Sequence, residues 1–97
     1  MNIKELPFEH VTVKALDIFN GYEISFVIEN QTFHFLIGKS EELLPLNIKH
    51  YFKNQEHCNI CQKMIFPTPF GQQPCLPLQK DMKDLLSHLR KTYVVLT

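Results

Sequence analysis

Apolar residues alternate with polar ones through much of the stretch from Val11 to Ile37, and this alternation constrains the fold more than any other feature. Asn20-Gly21 separates two of the alternating runs, and this dipeptide is typical of tight hairpin turns because both turn positions need positive φ. Asn30-Gln31 predicts a second turn before the run from Thr32 to Ile37. Residues 1–38 are therefore expected to form a three-stranded antiparallel β-meander.

The two turns also predict which side chains share a face of the sheet. Two-residue turns would pair Phe26 with Ala15 on one side and with Phe35 on the other. Because side chains alternate along a strand, one face should be apolar and form the core. The core face would carry Val13, Ala15, Phe19, Tyr22, Ile24, Phe26, Ile28, Phe33, Phe35 and Ile37, and the wet face Glu23, Ser25, Glu29, Thr32 and His34.

The second half of the chain predicts helices around an irregular segment. Residues 39–56 are expected to contain a short helix with Pro45 near its start and one apolar side, formed by Leu44, Ile48, Tyr51 and Phe52. Four of the six prolines lie within residues 65–77, which predicts a loop there. Helical spacing of leucines then indicates a C-terminal helix from about Gln79 to Thr92, and Val94–Leu96 is a candidate final strand. The sequence predicts an α+β fold and a single domain over 1–97.

Cys58-Asn-Ile-Cys61 is the strongest chemical signal in the chain. Two thiolates at this spacing can bind one tetrahedral metal ion from a single tight turn. Cys75 and His88 lie downstream, so residues 57–93 are expected to form a closed zinc site with ligands Cys58, Cys61, Cys75 and His88. His50 and His57 are alternative candidates for the fourth ligand. A closed site of this kind is structural, because it leaves no open position on the metal.

Residues 58–93 resemble a zinc finger of the two-Cys-two-His or BED kind. Cys58 and Cys61 match the Cys pair of its knuckle, and Leu85 and His88 match the Leu-x-x-His pattern of its helix. The second His of those families would fall near Tyr93, and this chain has no His there. The resemblance implies zinc binding, with Cys75 supplying the missing ligand, more directly than it implies DNA binding.

Enzymatic chemistry is the less favoured interpretation of the same residues. A redox Cys-x-x-Cys usually opens a helix after a strand, whereas this pair precedes a proline-rich loop. Nothing orients a nucleophilic pair of Cys75 with a histidine. The chain has three glycines and no glycine-rich phosphate loop, and no acidic pair has the setting of a general acid and base. We therefore expect a non-catalytic protein with no small-molecule substrate.

The charges are segregated although their sum is zero. Residues 1–47 are acidic in balance and residues 48–97 are basic, with Lys80, Lys83, Arg90 and Lys91 on the predicted C-terminal helix. The favoured function is a small zinc-stabilised protein-interaction module of the adaptor or inhibitor type, using sheet edges or the Phe66–Phe70 segment. The alternative is a finger-like nucleic-acid-binding regulator that uses the basic helix.

Cellular location follows from what the sequence lacks. The N-terminal residues have no apolar run of the kind found in signal peptides, and no stretch is long enough to span a membrane. An odd number of cysteines suits a compartment in which thiols stay reduced. We therefore expect a cytoplasmic protein with no membrane partner.

Overall fold

The computed structural model describes residues 2–68 and 73–96. Its larger sheet has four antiparallel strands whose order in the sheet is their order along the chain, and its smaller sheet pairs the two short strands that follow. A 3-10 turn at Ile3–Glu5 precedes the first strand. The elements are β1 (Phe8–Ala15), β2 (Gly21–Ile28), β3 (Gln31–Lys39), β4 (Leu43–His50), β5 (Glu56–His57), β6 (Met64–Ile65), α1 (Leu76–Lys80) and α2 (Met82–Thr92).

The predicted separation of the two faces is confirmed on the central strands. Alternate side chains of β2 and β3 are fully or almost fully buried: Ile24, Phe26, Ile28, Phe33, Phe35 and Ile37. Leu85 and Leu89 of α2 are also fully buried and belong to the same apolar cluster. Burial of each such side chain stabilises the fold by roughly 1.5–3 kcal/mol. The prediction fails on β1, where Val13 is 39% exposed.

The β2–β3 hairpin turns at Glu29-Asn30, one residue earlier than the sequence predicted. Both turn residues have positive φ, 49° and 66°, as a two-residue hairpin requires. Phe26 consequently pairs with Phe33 instead of Phe35. The partner changes by two residues, so every side chain stays on its predicted face.

The β1–β2 hairpin does not turn at Asn20-Gly21. Ala15 pairs with Tyr22, and residues 16–20 form the connection. Gly21 is instead the first residue of β2. A Cβ there would collide with the carbonyl oxygen of Ile37 and approach the Phe19 ring to 2.8 Å. Close packing, and not a turn conformation, therefore requires glycine at this position.

The predicted short helix within residues 39–56 is wrong, and a fourth strand, β4, occupies this segment. Apolar residues four apart, such as Leu44 and Ile48, suit both a helix and a strand, because four is also a multiple of the strand period. Pro45 is tolerated because β4 is an edge strand and its pairing with β3 shifts register between Leu36 and Ile37. The meander therefore has four strands instead of three.

The predicted C-terminal helix is confirmed as α2, with the short helix α1 before it. No strand forms at Val94–Leu96, although the side chains of Val94 and Leu96 are buried. Of the predicted Phe66–Phe70 loop, Pro69 and Phe70 lie outside the described residues. Among the helices that the structure describes, none has the length and apolar character needed to cross a membrane.

Candidate metal centre

Four side chains that can ligate a metal converge beside the end of β4. The Sγ atoms of Cys58, Cys61 and Cys75 and a ring nitrogen of His50 all lie within 4.8 Å of one another. The three cysteines are those that the sequence grouped together. The histidine is His50, one of the two alternatives, and not His88. Together the four residues could hold a metal ion.

His50 reaches this point because it is the last residue of β4 and faces the core. Its side chain is 1% exposed, and its ring packs on Phe33 and Phe52. Nδ1 lies 2.6 Å from the carbonyl oxygen of Gln73. A carbonyl only accepts hydrogen bonds, so Nδ1 carries the hydrogen and donates it. Nε2, 3.5 Å from the Sγ of Cys61, is then the nitrogen available to a metal, which is the arrangement that orients ligating histidines in metalloproteins.

Cys58 and Cys61 lie in the tight turn of residues 58–63 that connects β5 with β6, which we call the knuckle. The backbone amides of Ile60 and Cys61 donate to the Sγ of Cys58 at 3.3 and 3.4 Å. The amide of Gln62, which has a positive φ of 65°, donates to the Cys58 carbonyl at 2.9 Å. Two amides directed at one sulfur stabilise the negative charge of a thiolate, the form in which cysteine binds metals.

Cys75 is brought to the group by the outer edge of β4. Its amide donates to the Ile48 carbonyl at 3.2 Å, and Pro74 forms an isolated bridge with Lys49. Cys75 is also the residue from which α1 begins. The segment that precedes the helices therefore runs along β4 and places its sulfur beside His50.

The separation between one sulfur and the ring nitrogen matches the geometry of tetrahedral zinc. With Zn–S of about 2.3 Å and Zn–N of about 2.0 Å, neighbouring sulfur and nitrogen ligands are about 3.6 Å apart. In the structure Cys61 Sγ and His50 Nε2 are 3.5 Å apart. Cys58 and Cys75 have no exposed surface, so an ion bound here would be enclosed by protein.

The pKa values of the three cysteines differ in direction, since one is lowered and two are raised. A hydrogen bond from the Cys75 thiol is the main cause that lowers the pKa of Cys58 to about 3, helped by backbone amides and opposed by burial. The same hydrogen bond, together with burial, raises the pKa of Cys75. Burial is the main cause that raises the pKa of Cys61. Without metal, the group therefore holds one thiolate and two thiols.

Gln31 fastens the knuckle to the sheet and was not anticipated from the sequence. This residue is 5% exposed and follows the β2–β3 turn. Its Nε2 donates to Glu56 Oε1 and to the His57 carbonyl, both at 2.7 Å, and its Oε1 accepts from the Asn59 amide at 2.8 Å. All of these partners lie within three residues of Cys58, so Gln31 positions the turn that presents the thiols.

His88 and His57, the other candidate ligands, lie outside the group. The ring of His88 packs against the rings of Phe8, the first residue of β1, and Tyr93, with ring centroids 5.6 and 5.9 Å apart. β1 and β4 are opposite edges of the sheet, and three strand spacings separate them by about 14 Å. His57 is exposed on β5.

The four basic residues predicted on the C-terminal helix lie at the surface. Lys80 ends α1, and Lys83, Arg90 and Lys91 are on α2; all four are exposed. Lys83, Arg90 and Lys91 line one cleft beside the start of β4. They are therefore separate from the cysteine group.

The order of the candidate ligands along the chain is His-Cys-Cys-Cys, with the histidine on a strand. This differs from the zinc-finger pattern suggested by residues 58–93, in which a helix supplies histidine after the cysteine pair. Comparison with protein-family models, curated proteins and solved structures finds no match to this chain.

Replacing Gln31 with alanine should weaken the knuckle and its metal affinity together. The change removes the three hydrogen bonds that the buried Gln31 side chain makes to Glu56, His57 and Asn59, which should cost about 2–4 kcal/mol in the free energy of unfolding. Loss of a positioning group should lower zinc affinity roughly 10–100-fold. Gln62→Ala is the matched control: this exposed residue makes one side-chain hydrogen bond in the same turn, to the Asn59 carbonyl, and should cost less than about 1 kcal/mol. The role of Gln31 would be contradicted if the two variants lost the same unfolding free energy in urea and the same zinc affinity in titrations.

The pH dependence of zinc affinity should report the unequal thiols. Cys61 and Cys75 have raised pKa values and must each lose a proton on binding, so affinity should rise with pH. Cys58 is already ionised above a pH of about 3 and releases none. Competition titrations between about pH 7 and 8.5 should give a thiol proton release of about two, falling to about one in Cys61→Ala. A release of three, unchanged by that substitution, would contradict the assignment.

Proposed function

We propose that this protein is a zinc-stabilised protein-interaction module in which His50, Cys58, Cys61 and Cys75 bind one structural Zn²⁺. The single observation that carries the proposal is the convergence of these four ligand atoms within 4.8 Å of one another. Thiolates with imidazole favour zinc among the common cellular metals, and four protein ligands complete its tetrahedral shell.

The structural role follows from where the ligands originate. One comes from β4, two from the knuckle and one from the start of α1. The strands that flank the knuckle, β5 and β6, have only two residues each. Few backbone hydrogen bonds therefore hold this region in place. A metal that joins three chain segments would therefore stabilise a region that the sheet alone holds weakly.

A non-catalytic role is part of the proposal. Four protein ligands leave no position for a substrate or a reactive water on the metal. The low pKa of Cys58 would also suit a reactive thiolate, but a reactive thiol needs access to its substrate and this sulfur is fully buried. The free cysteines support a cytoplasmic setting, where thiol ligands stay reduced.

Binding to another protein is supported by apolar side chains on the surface of β4. Leu44 is 48% exposed and Leu46 is 47% exposed on this edge strand, and Leu44 lines a cleft with Lys83, Arg90 and Lys91 of α2. Apolar surface bordered by charged groups is typical of protein-binding sites. Nucleic-acid binding remains the second candidate, favoured by the exposed Lys80, Lys83, Arg90 and Lys91.

The metal proposal is tested by replacing the two competing histidines separately. Protein purified without added metal should contain one zinc per chain. His50→Ala removes a ligand and should reduce zinc affinity by more than about 100-fold, because even supporting residues of zinc sites contribute 10–100-fold. His88→Ala should leave zinc content unchanged, because His88 packs on Phe8 and Tyr93 instead.

The same samples test the structural role of the ion. Chelation should expose the backbone amides of residues 51–68 to hydrogen exchange before those of β2 and β3. The proposal fails if purified protein holds no zinc and a chelator leaves exchange unchanged, or if His88→Ala loses zinc while His50→Ala retains it.

A further inference from the structure

A cleft of about 590 Å³ separates the beginning of β4 from α2. Leu44 and Leu86 contribute apolar surface to it, one from each side. Leu86 is 6% exposed and anchors the helix to the core, whereas Leu44 is 48% exposed. A leucine with half of its surface in water gains free energy when a partner covers it, at roughly 25 cal/mol per Å².

The helix side of this cleft is basic. Lys83, Arg90 and Lys91 line it, against one carboxylate, Glu42. Lys83 and Arg90 are seven residues apart on α2, which places them on the same helix face about 10 Å apart along the axis. Over residues 2–68 and 73–96, none of these three cations forms an ion pair. Their charge is therefore available to a partner.

We propose that the cleft binds a short, acidic, amphipathic segment of a partner protein, with apolar side chains on Leu44 and carboxylates opposite Lys83 and Arg90. The inference rests on the proposed function, since it names the partner class of the same module. Apolar and basic surface in one cleft matches a segment that carries both leucine-type and acidic side chains. A nucleic acid would match the cations alone.

The edge strand itself indicates how such a segment would lie. Pro45 has no backbone N–H, and the register of β4 shifts at this position. Both features disfavour addition of another strand to this edge. A helix needs no backbone bonds from the strand and contacts the cleft through side chains only, so the segment binds as a helix of about three turns.

The test uses the zinc-loaded full chain as bait for a phage-displayed library of random 12-residue peptides. Enriched peptides are then synthesised and titrated by fluorescence anisotropy. We expect enrichment of sequences that combine Leu, Ile, Phe or Met with Asp or Glu, and weaker binding at high salt.

Three double variants separate the contributions. Lys83→Glu with Arg90→Glu should weaken peptide binding at least tenfold, and so should Leu44→Ser with Leu46→Ser, in which Leu44 is the residue that lines the cleft. Lys4→Glu with Lys53→Glu is the matched control, because both lysines are exposed, lie outside the cleft and give the same change of net charge. The control should bind within about twofold of the wild type. All six positions are at the surface, and urea unfolding of each zinc-loaded variant verifies that its fold is retained.

Several results would overturn the inference. These are the absence of enriched peptides, enrichment of basic peptides, or acidic peptides that bind the cleft variants as tightly as the wild type. Binding to random duplex DNA that disappears in Lys83→Glu/Arg90→Glu would assign the cleft to nucleic acid instead. A homodimer that dissociates in the same variant would assign it to a second copy of the chain.

The failure of this inference is distinguishable from failure of the proposed function. If the protein binds one zinc through His50 but selects no acidic peptide, the structural metal site stands and the assignment of the cleft fails. If the protein selects acidic peptides through Leu44 and Lys83 but holds no zinc, the proposed metal site fails and the assignment of the cleft stands.

Discussion

The junction between the end of β4 and the segment that follows it depends on one cluster of polar groups inside an apolar core. His50, Cys58 and Cys75 are buried among the residues that the sheet and α2 pack together. Buried polar groups destabilise a fold unless each finds a partner. In this cluster the His50 ring has the Gln73 carbonyl as a partner and the Cys58 sulfur has two backbone amides. A divalent cation would bind the three sulfurs and the second ring nitrogen together. The β4 strand, the knuckle and the start of α1 meet at this junction.

Supporting hydrogen bonds give the junction its geometry. The Gln73 carbonyl selects the tautomer of His50, and Gln31 joins the knuckle to the β2–β3 turn. Both interactions join residues that are distant in sequence, 23 positions apart for His50 and Gln73 and 26 or more for Gln31 and its partners in these two bonds. The metal site and the sheet are therefore one structural unit, and the cleft beside β4 lies on the opposite half of the same strand.

Sequence patterns predicted the parts of this structure that local chemistry determines. Alternation located the buried face of β2 and β3, helical spacing located α2, and the Cys-x-x-Cys turn located two of the clustered thiols. The choice between His50 and His88 could not be made this way, because it depends on which sheet edge each histidine occupies. A strand assignment for residues 43–50 would have supplied a signal, since Ile48, His50 and Phe52 alternate onto one face.

Other features had no local signal. Four-residue spacing of apolar side chains in β4 fits a helix as well as a strand, and only pairing with β3 selects the strand. Gln31 resembles any polar residue after a turn, and its burial follows from a contact with residues 25 or more positions away. Long-range contacts of this kind are set by the complete fold.

X-ray absorption at the zinc edge tests the central claim most directly, because it measures the ligands around the ion itself. Three sulfur atoms at about 2.3 Å and one nitrogen at about 2.0 Å are expected in the wild type, and loss of the imidazole signal is expected in His50→Ala alone. Two sulfurs with two nitrogen or oxygen ligands, or an imidazole signal that persists without His50, would contradict a site made by one strand, one knuckle and the start of one helix.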